Sequence, residues 1–91
     1  MKNLPNNVVA YKQTPEFTEL TIPAGLLKDH KTKDGVWAKI VILEGRLEYT
    51  IIEPELDVIE LRVDKFGVVE PTVLHHIAPL GKVRLYVEFY K

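Results

Sequence analysis

The chain has 91 residues, 46% of them apolar and 27% charged, a balance that fits one small folded domain and argues against both a disordered tail and a membrane span. Twelve Lys and Arg against thirteen Asp and Glu leave a formal net charge of −1, so no global field draws the protein toward nucleic acid or anionic lipid. With no cysteine, disulfides, thiolate catalysis and thiolate zinc sites are excluded.

In chain order, the segment Met1 to Asn7 lacks the apolar run of a secretory signal. No later stretch approaches the roughly 18 apolar residues of a membrane helix, so the cytoplasm is the expected compartment. From there, short runs rich in Val, Ile, Leu, Tyr and Phe alternate with corners of Gly, Pro and Asp, the rhythm of strands and turns. Strands are expected near Val8 to Tyr11, Phe17 to Ile22, Leu26 to His30, Val36 to Leu43, Arg46 to Ile52, Val58 to Val63, Gly67 to Glu70, His75 to Ala78 and Val83 to Tyr90. Turns are expected at Glu44-Gly45, Glu53-Pro54-Glu55, Asp64 to Gly67 and Pro79 to Lys82. Gly35 and Gly45 are the positions where a turn calls for positive φ. Two strands alternate plainly: Leu47, Tyr49 and Ile51 oppose Arg46, Glu48 and Thr50, and Val83, Leu85, Val87 and Phe89 oppose Arg84, Tyr86 and Glu88. Each therefore buries one face. No window holds apolar residues at spacings of three and four, so no long helix is expected. The sum is an all-β single domain over residues 1–91, a small β-barrel or two-layered β-sandwich that closes its sheet to protect the edges.

The segment Glu70-Pro71-Thr72-Val73-Leu74-His75-His76 carries two of the three histidines. Imidazole is the commonest protein metal ligand and titrates near neutral pH. Successive strand residues point to opposite faces, so His75 and His76 do not serve one ion together.

The order His30, Thr32-Lys33-Asp34-Gly35-Val36-Trp37, Leu43-Glu44-Gly45 and Val69 to His75 resembles the TehB/YeaR-like family of small cupin-type domains, which opens tellurite-resistance proteins of the TehB kind. The similarity runs from Tyr11-Lys12-Gln13-Thr14-Pro15 to Val87-Glu88-Phe89-Tyr90. It implies a cupin-like jelly roll and a role tied to tellurite resistance or oxidative stress. In TehB the domain precedes a methyltransferase that uses S-adenosylmethionine. This chain ends where the β-domain is expected to end, so no methyltransferase and no stand-alone enzyme are expected. No Gly-rich turn between strand and helix offers a nucleotide cofactor site.

The resemblance also implies a ligand set. Cupins pair a first motif of two histidines and a glutamate with a second motif of one histidine, all converging on a metal. His75, four residues after Pro71, stands at the second-motif histidine and is taken as the inward one; His30 lies close to the first motif. Thr32 or Lys33 stands where the second histidine is expected, and Ala38 where the glutamate is expected. Zinc, nickel, iron or manganese would need three or four nitrogen or oxygen donors. His30 and His75 supply two, and the third is sought in Glu88, Glu70, His76 or Asp29. Trp37, the sole tryptophan, is expected to pack in the core or at the barrel mouth, and Arg84 or Lys39 would bind a small oxyanion if it faced inward.

Three functions compete: a ligand-binding or sensing domain that holds a divalent metal, a metal-dependent enzyme acting on a small molecule, and a module that mainly forms homodimers. A small molecule or oxyanion is the expected partner, with neither nucleic acid nor membrane.

Overall fold

Two long antiparallel strands carry the computed structural model, which describes residues 1–91. β3 (Trp37–Ile51) and β6 (His75–Tyr90) pair along their length, from Trp37 opposite Tyr90 to Ile51 opposite His75. Shorter strands line their outer edges. β1 (Ala10–Gln13) and β2 (Phe17–Thr18) lie on β6, while β4 (Asp57–Arg62) and β5 (Gly67–Val69) lie on β3. The only helix is a single turn, α1 (Ala24–Leu27), and no helix is long and apolar enough to cross a membrane.

The chain does not reverse at Glu44-Gly45. The two strands expected on either side are one strand whose pairing with β6 shifts between Ile42 and Glu44 and again between Gly45 and Leu47. The buried face accordingly changes from the even positions Ala38, Ile40 and Ile42 to the odd positions Leu47 and Tyr49. An extra residue in one strand does this, because side chains alternate with a period of two; it also kinks the sheet. The sheet thereby folds over its own core, where Leu47, Tyr49, Leu61 and Leu85 are wholly buried and pack with Ile40, Ile77 and Val87 in one cluster. Each such leucine contributes roughly 1.5–3 kcal/mol of burial free energy.

Other boundaries move for local reasons. Of the strand expected over Phe17 to Ile22, only Phe17–Thr18 pairs, because the backbone N–H groups of Thr21 and Ile22 turn back to the Thr18 carbonyl. Leu26 to His30 is not a strand: it splits into the last residues of α1 and an isolated bridge at His30. A four-residue helix is too short to leave a 3.6-residue periodicity. The Pro79 to Lys82 turn is likewise absent, since β6 runs through it.

The protein is mostly β-sheet, yet the strand order β1-β6-β3-β4 does not close on itself. The closed barrel expected to hide every edge is not formed, and β4 ends the sheet with Val58 exposed. Curvature comes from the register shifts instead.

Gly45 permits those shifts. Its φ is +80°, and a Cβ there would collide with the Lys82 carbonyl on β6. Gly35 has φ +77° but open space around it. Urea denaturation is therefore expected to show Gly45→Ala losing at least about 2 kcal/mol of stability, through positive φ plus the collision, and Gly35→Ala about 1 kcal/mol, through φ alone. Equal losses would remove the close approach of β3 and β6 as the reason for the glycine.

Candidate functional site

At its first residue β6 meets the stretch that follows α1. His30 N–H donates to the His75 carbonyl at 2.8 Å, and His75 N–H donates back to the His30 carbonyl at 2.9 Å. This reciprocal pair is the closely spaced unit of an antiparallel ladder. Around Thr32 the stitching continues: its hydroxyl donates to the Glu70 carbonyl at 3.3 Å, and its own carbonyl accepts from Thr72 N–H at 3.2 Å. Thr72 sits at φ +62°, a strained value for a β-branched residue. The strained turn leads directly to Val73, whose carbonyl holds the His75 ring.

Backbone pairing brings the rings together. The centroids of His30 and His75 lie 4.1 Å apart with planes inclined at 55°, and Tyr49 meets the His75 ring edge-on at 5.8 Å. Tyr49 is fixed in turn by its hydroxyl, which donates to the Val68 carbonyl at 3.0 Å. His75 is only 3% exposed.

Each ring is held in the same way. Nδ1 of His75 lies 2.8 Å from the Val73 carbonyl, and Nδ1 of His30 lies 2.8 Å from the Lys28 carbonyl. A carbonyl oxygen only accepts, so both Nδ1 atoms carry a proton, and in the neutral form of each ring Nε2 keeps the lone pair. Metal-binding imidazoles are oriented by such contacts, one nitrogen donating to a backbone carbonyl and the other left for the ion. Burial pushes the pKa of His75 down to about 4 against the opposing contact with Val73, and the nearby charges of His30 and His76 push the same way. His75 is therefore neutral at pH 7.

Both histidines line a cavity of about 460 Å³ whose floor is apolar, built from Ala38, Ile40, Val69, Ile77, Val87 and Phe89. Thr32, Lys33 and Ala38, the positions where a cupin pattern would place ligands, line the same cavity. So do Lys12 and Lys31, which sequence reasoning left unassigned. The run Lys28 to Gly35 is mixed in sign and reads as a hydrophilic loop; only its pairing against Glu70 to His75 turns part of it toward a cavity.

The other candidates lie elsewhere. His76 faces away from His75 and contacts Asp29 through Nδ1 and Oδ1 at 2.7 Å, which ties the His30 stretch to β6. Glu88 lies between the cavity residues Val87 and Phe89, so its side chain takes the opposite face. There it accepts from the Tyr90 hydroxyl, whose pKa this bond raises to about 12. Alternation removes Trp37 in the same manner, between Val36 and Ala38. Arg84 is engaged by Glu16 at 2.8 Å and Glu44 at 3.8 Å on the exterior. Glu70 pairs with Lys2 at 3.4 Å. No group of three or more His, Cys, Asp or Glu side chains is placed to share one ion.

The pattern that defines the TehB-like domain matches residues 12–87. A probable S-adenosyl-L-methionine-dependent methyltransferase TehB of Haemophilus influenzae is 30% identical over 80 residues, which cover 84% of this chain and 28% of that protein. The uncharacterized protein YeaR of Escherichia coli strain K12 is 28% identical over 86 residues, covering 85% of this chain and 71% of that one. A crystal structure of a protein from Escherichia coli strain K12 superposes with a TM-score of 0.89 at 25% identity, covering 100% of this chain and 97% of the other. The crystal structure of TehB from Haemophilus influenzae superposes with a TM-score of 0.85 at 26% identity, over 93% of this chain and 32% of that one. The chain thus spans 28% of the length of the TehB relative it matches.

The buried neutral His75 makes stability depend on pH. Between its folded pKa of about 4 and its ordinary value of 6.5, the unfolded chain binds a proton that the folded chain refuses. The stability from keeping His75 neutral is therefore full above pH 6.5 and is lost as pH falls toward 4. Urea denaturation at pH 7.5 and 4.5 is expected to show the wild type losing on the order of 1–2 kcal/mol more than His75→Leu. Identical losses in the two proteins would place the His75 ring in water.

Proposed function

The chain belongs to the TehB-like domain family, and from that premise we propose that it is a small-ligand-binding module whose site is the His30–His75 cavity. The polar anchor of the site is the pair of Nε2 atoms of His30 and His75, which would hold a divalent metal ion. Imidazole nitrogen suits zinc, nickel or iron, and manganese less well. A metal there would supply a Lewis-acidic centre that grips an electron-rich ligand. The observation that carries this reading is the common orientation of the two rings, with Nδ1 of each donating to a carbonyl 2.8 Å away.

Capture is favoured over turnover because the cavity lining has no carboxylate or thiol to act as base or nucleophile beside the histidines. The folded open sheet is read as a reduced cupin barrel in which the metal set has shrunk to His30 and His75. Thr32, Lys33 and Ala38 occupy the vacated positions, and Glu88 is not a ligand. A role in tellurite resistance or oxidative stress follows from kinship with TehB and belongs to the same proposal.

Metal analysis after reconstitution, on protein carrying no histidine tag, is expected to find one ion per chain. Both His30→Ala and His75→Gln are expected to lose it, while His76→Ala retains it. If neither cavity substitution changes the metal content, the ion is not held by this pair.

A further inference from the structure

The cavity is electrostatically one-sided although the chain is nearly neutral. Lys12, Lys31 and Lys33 line it, and none of its lining residues is Asp or Glu. Three nearby carboxylates are already engaged: Asp29 with His76 at 2.7 Å, Glu70 with Lys2 at 3.4 Å, and Glu53 with Lys31 at 4.0 Å. Lys12 and Lys33 form no ion pair. All three lysines are exposed, whereas the floor beneath them is aliphatic and aromatic, with Ala38, Ile40, Val69 and Ile77 buried. Sites for small molecules are typically about 300–1,000 Å³ in volume, mostly apolar, with a few charged groups that fix orientation. This cavity, at about 460 Å³, has that form.

We propose that the cavity takes a small organic anion whose apolar body lies on the floor and whose carboxylate or sulfonate sits at the mouth among Lys12, Lys31 and Lys33. The proposal rests on the cavity being the ligand site and adds the ligand's class. Two features of the surface select that class together. A bare inorganic oxyanion would satisfy the lysines and leave the floor wet, while a neutral hydrocarbon would cover the floor and leave the mouth without its counter-charge. Clustered cations around a cleft also raise the local concentration of anions and speed their capture.

The test compares 2-naphthoate with its neutral analogue 2-naphthalenemethanol by titration calorimetry in low-salt buffer. The protein is first stripped with chelator, so that no carboxylate–metal contact contributes, and ¹⁵N chemical shifts locate the bound molecule. The anion is expected to bind about tenfold more tightly than the alcohol, shifting the amides of Val69 and Ile77, with the advantage shrinking as salt is added. Lys12→Gln/Lys33→Gln is expected to bring the anion's affinity down to that of the alcohol, and Lys82→Gln, outside the cavity, to leave the advantage in place. Equal affinity of anion and alcohol would overturn the anionic class while leaving the cavity as a ligand site. Displacement of naphthoate by inorganic phosphate at equal concentration would overturn the need for an apolar body. Failure of both aromatic compounds to bind would overturn this proposal and the binding-module reading with it.

Discussion

The close approach of β3 to β6 at Gly45 is the constraint on which the rest of the structure depends. Fifteen residues of β3 and sixteen of β6 would pair as a long ribbon with apolar residues on both faces if the register were constant. The extra residue near Gly45 moves β3's buried set from even to odd positions, while β6 keeps His75, Ile77, Val83, Leu85 and Val87 on one parity throughout. A ribbon becomes a folded sheet with one inside. Only a residue without Cβ fits, because the Lys82 carbonyl occupies the space.

The site follows from that folding. It opens where β6 begins, and the stretch after α1 is stitched to it by backbone hydrogen bonds between His30 and His75 and between Thr32 and Thr72. His30 is positioned by its exchange of N–H and C=O with His75, and the Asp29–His76 contact secures the same stretch from the other face. Adjacent histidines therefore divide the work: His75 lines the cavity and His76 holds its wall. Lys31 and Lys33 reach the mouth because their neighbours are fixed in this way, not because the loop carries a strong charge of its own, while Lys12 is set there by the pairing of β1 with β6.

Much of the β character was legible in the sequence, since Val, Ile and aromatic residues alternate in β3, β4 and β6 and every glycine with positive φ occupies a corner or a bulge. The separation of His75 from His76 by alternation was legible too. Alternation also sets Glu88 and Arg84 on the polar face of the last strand, opposite Val83, Leu85 and Val87, and only their chemistry makes them candidates. In the continuous strand, Glu88 is an odd number of residues from His75 and Arg84 likewise, so both face away from the cavity. Pro79 and Gly81 are strong local signals for a corner, and they mark a bulge within β6 instead: the register passes from Val83 to Pro79 while Leu80 to Lys82 have no partner on β3, and Gly81 has φ +81°. The bridge between His30 and His75 was not legible, because it links residues 45 positions apart through backbone atoms that no side-chain pattern encodes.

What unifies the fold and the proposed function is a pair of imidazoles, each held by a backbone carbonyl at Nδ1 so that Nε2 is left without a protein partner. Long-range ¹H–¹⁵N correlation spectra of the histidine rings at pH 7 test this directly, because the two ring nitrogens give different shifts in the two neutral tautomers. Both His30 and His75 are expected to appear as the tautomer with its proton on Nδ1. Protons found on Nε2 of both rings would contradict it, since neither ring would then offer the lone pair on which the site depends.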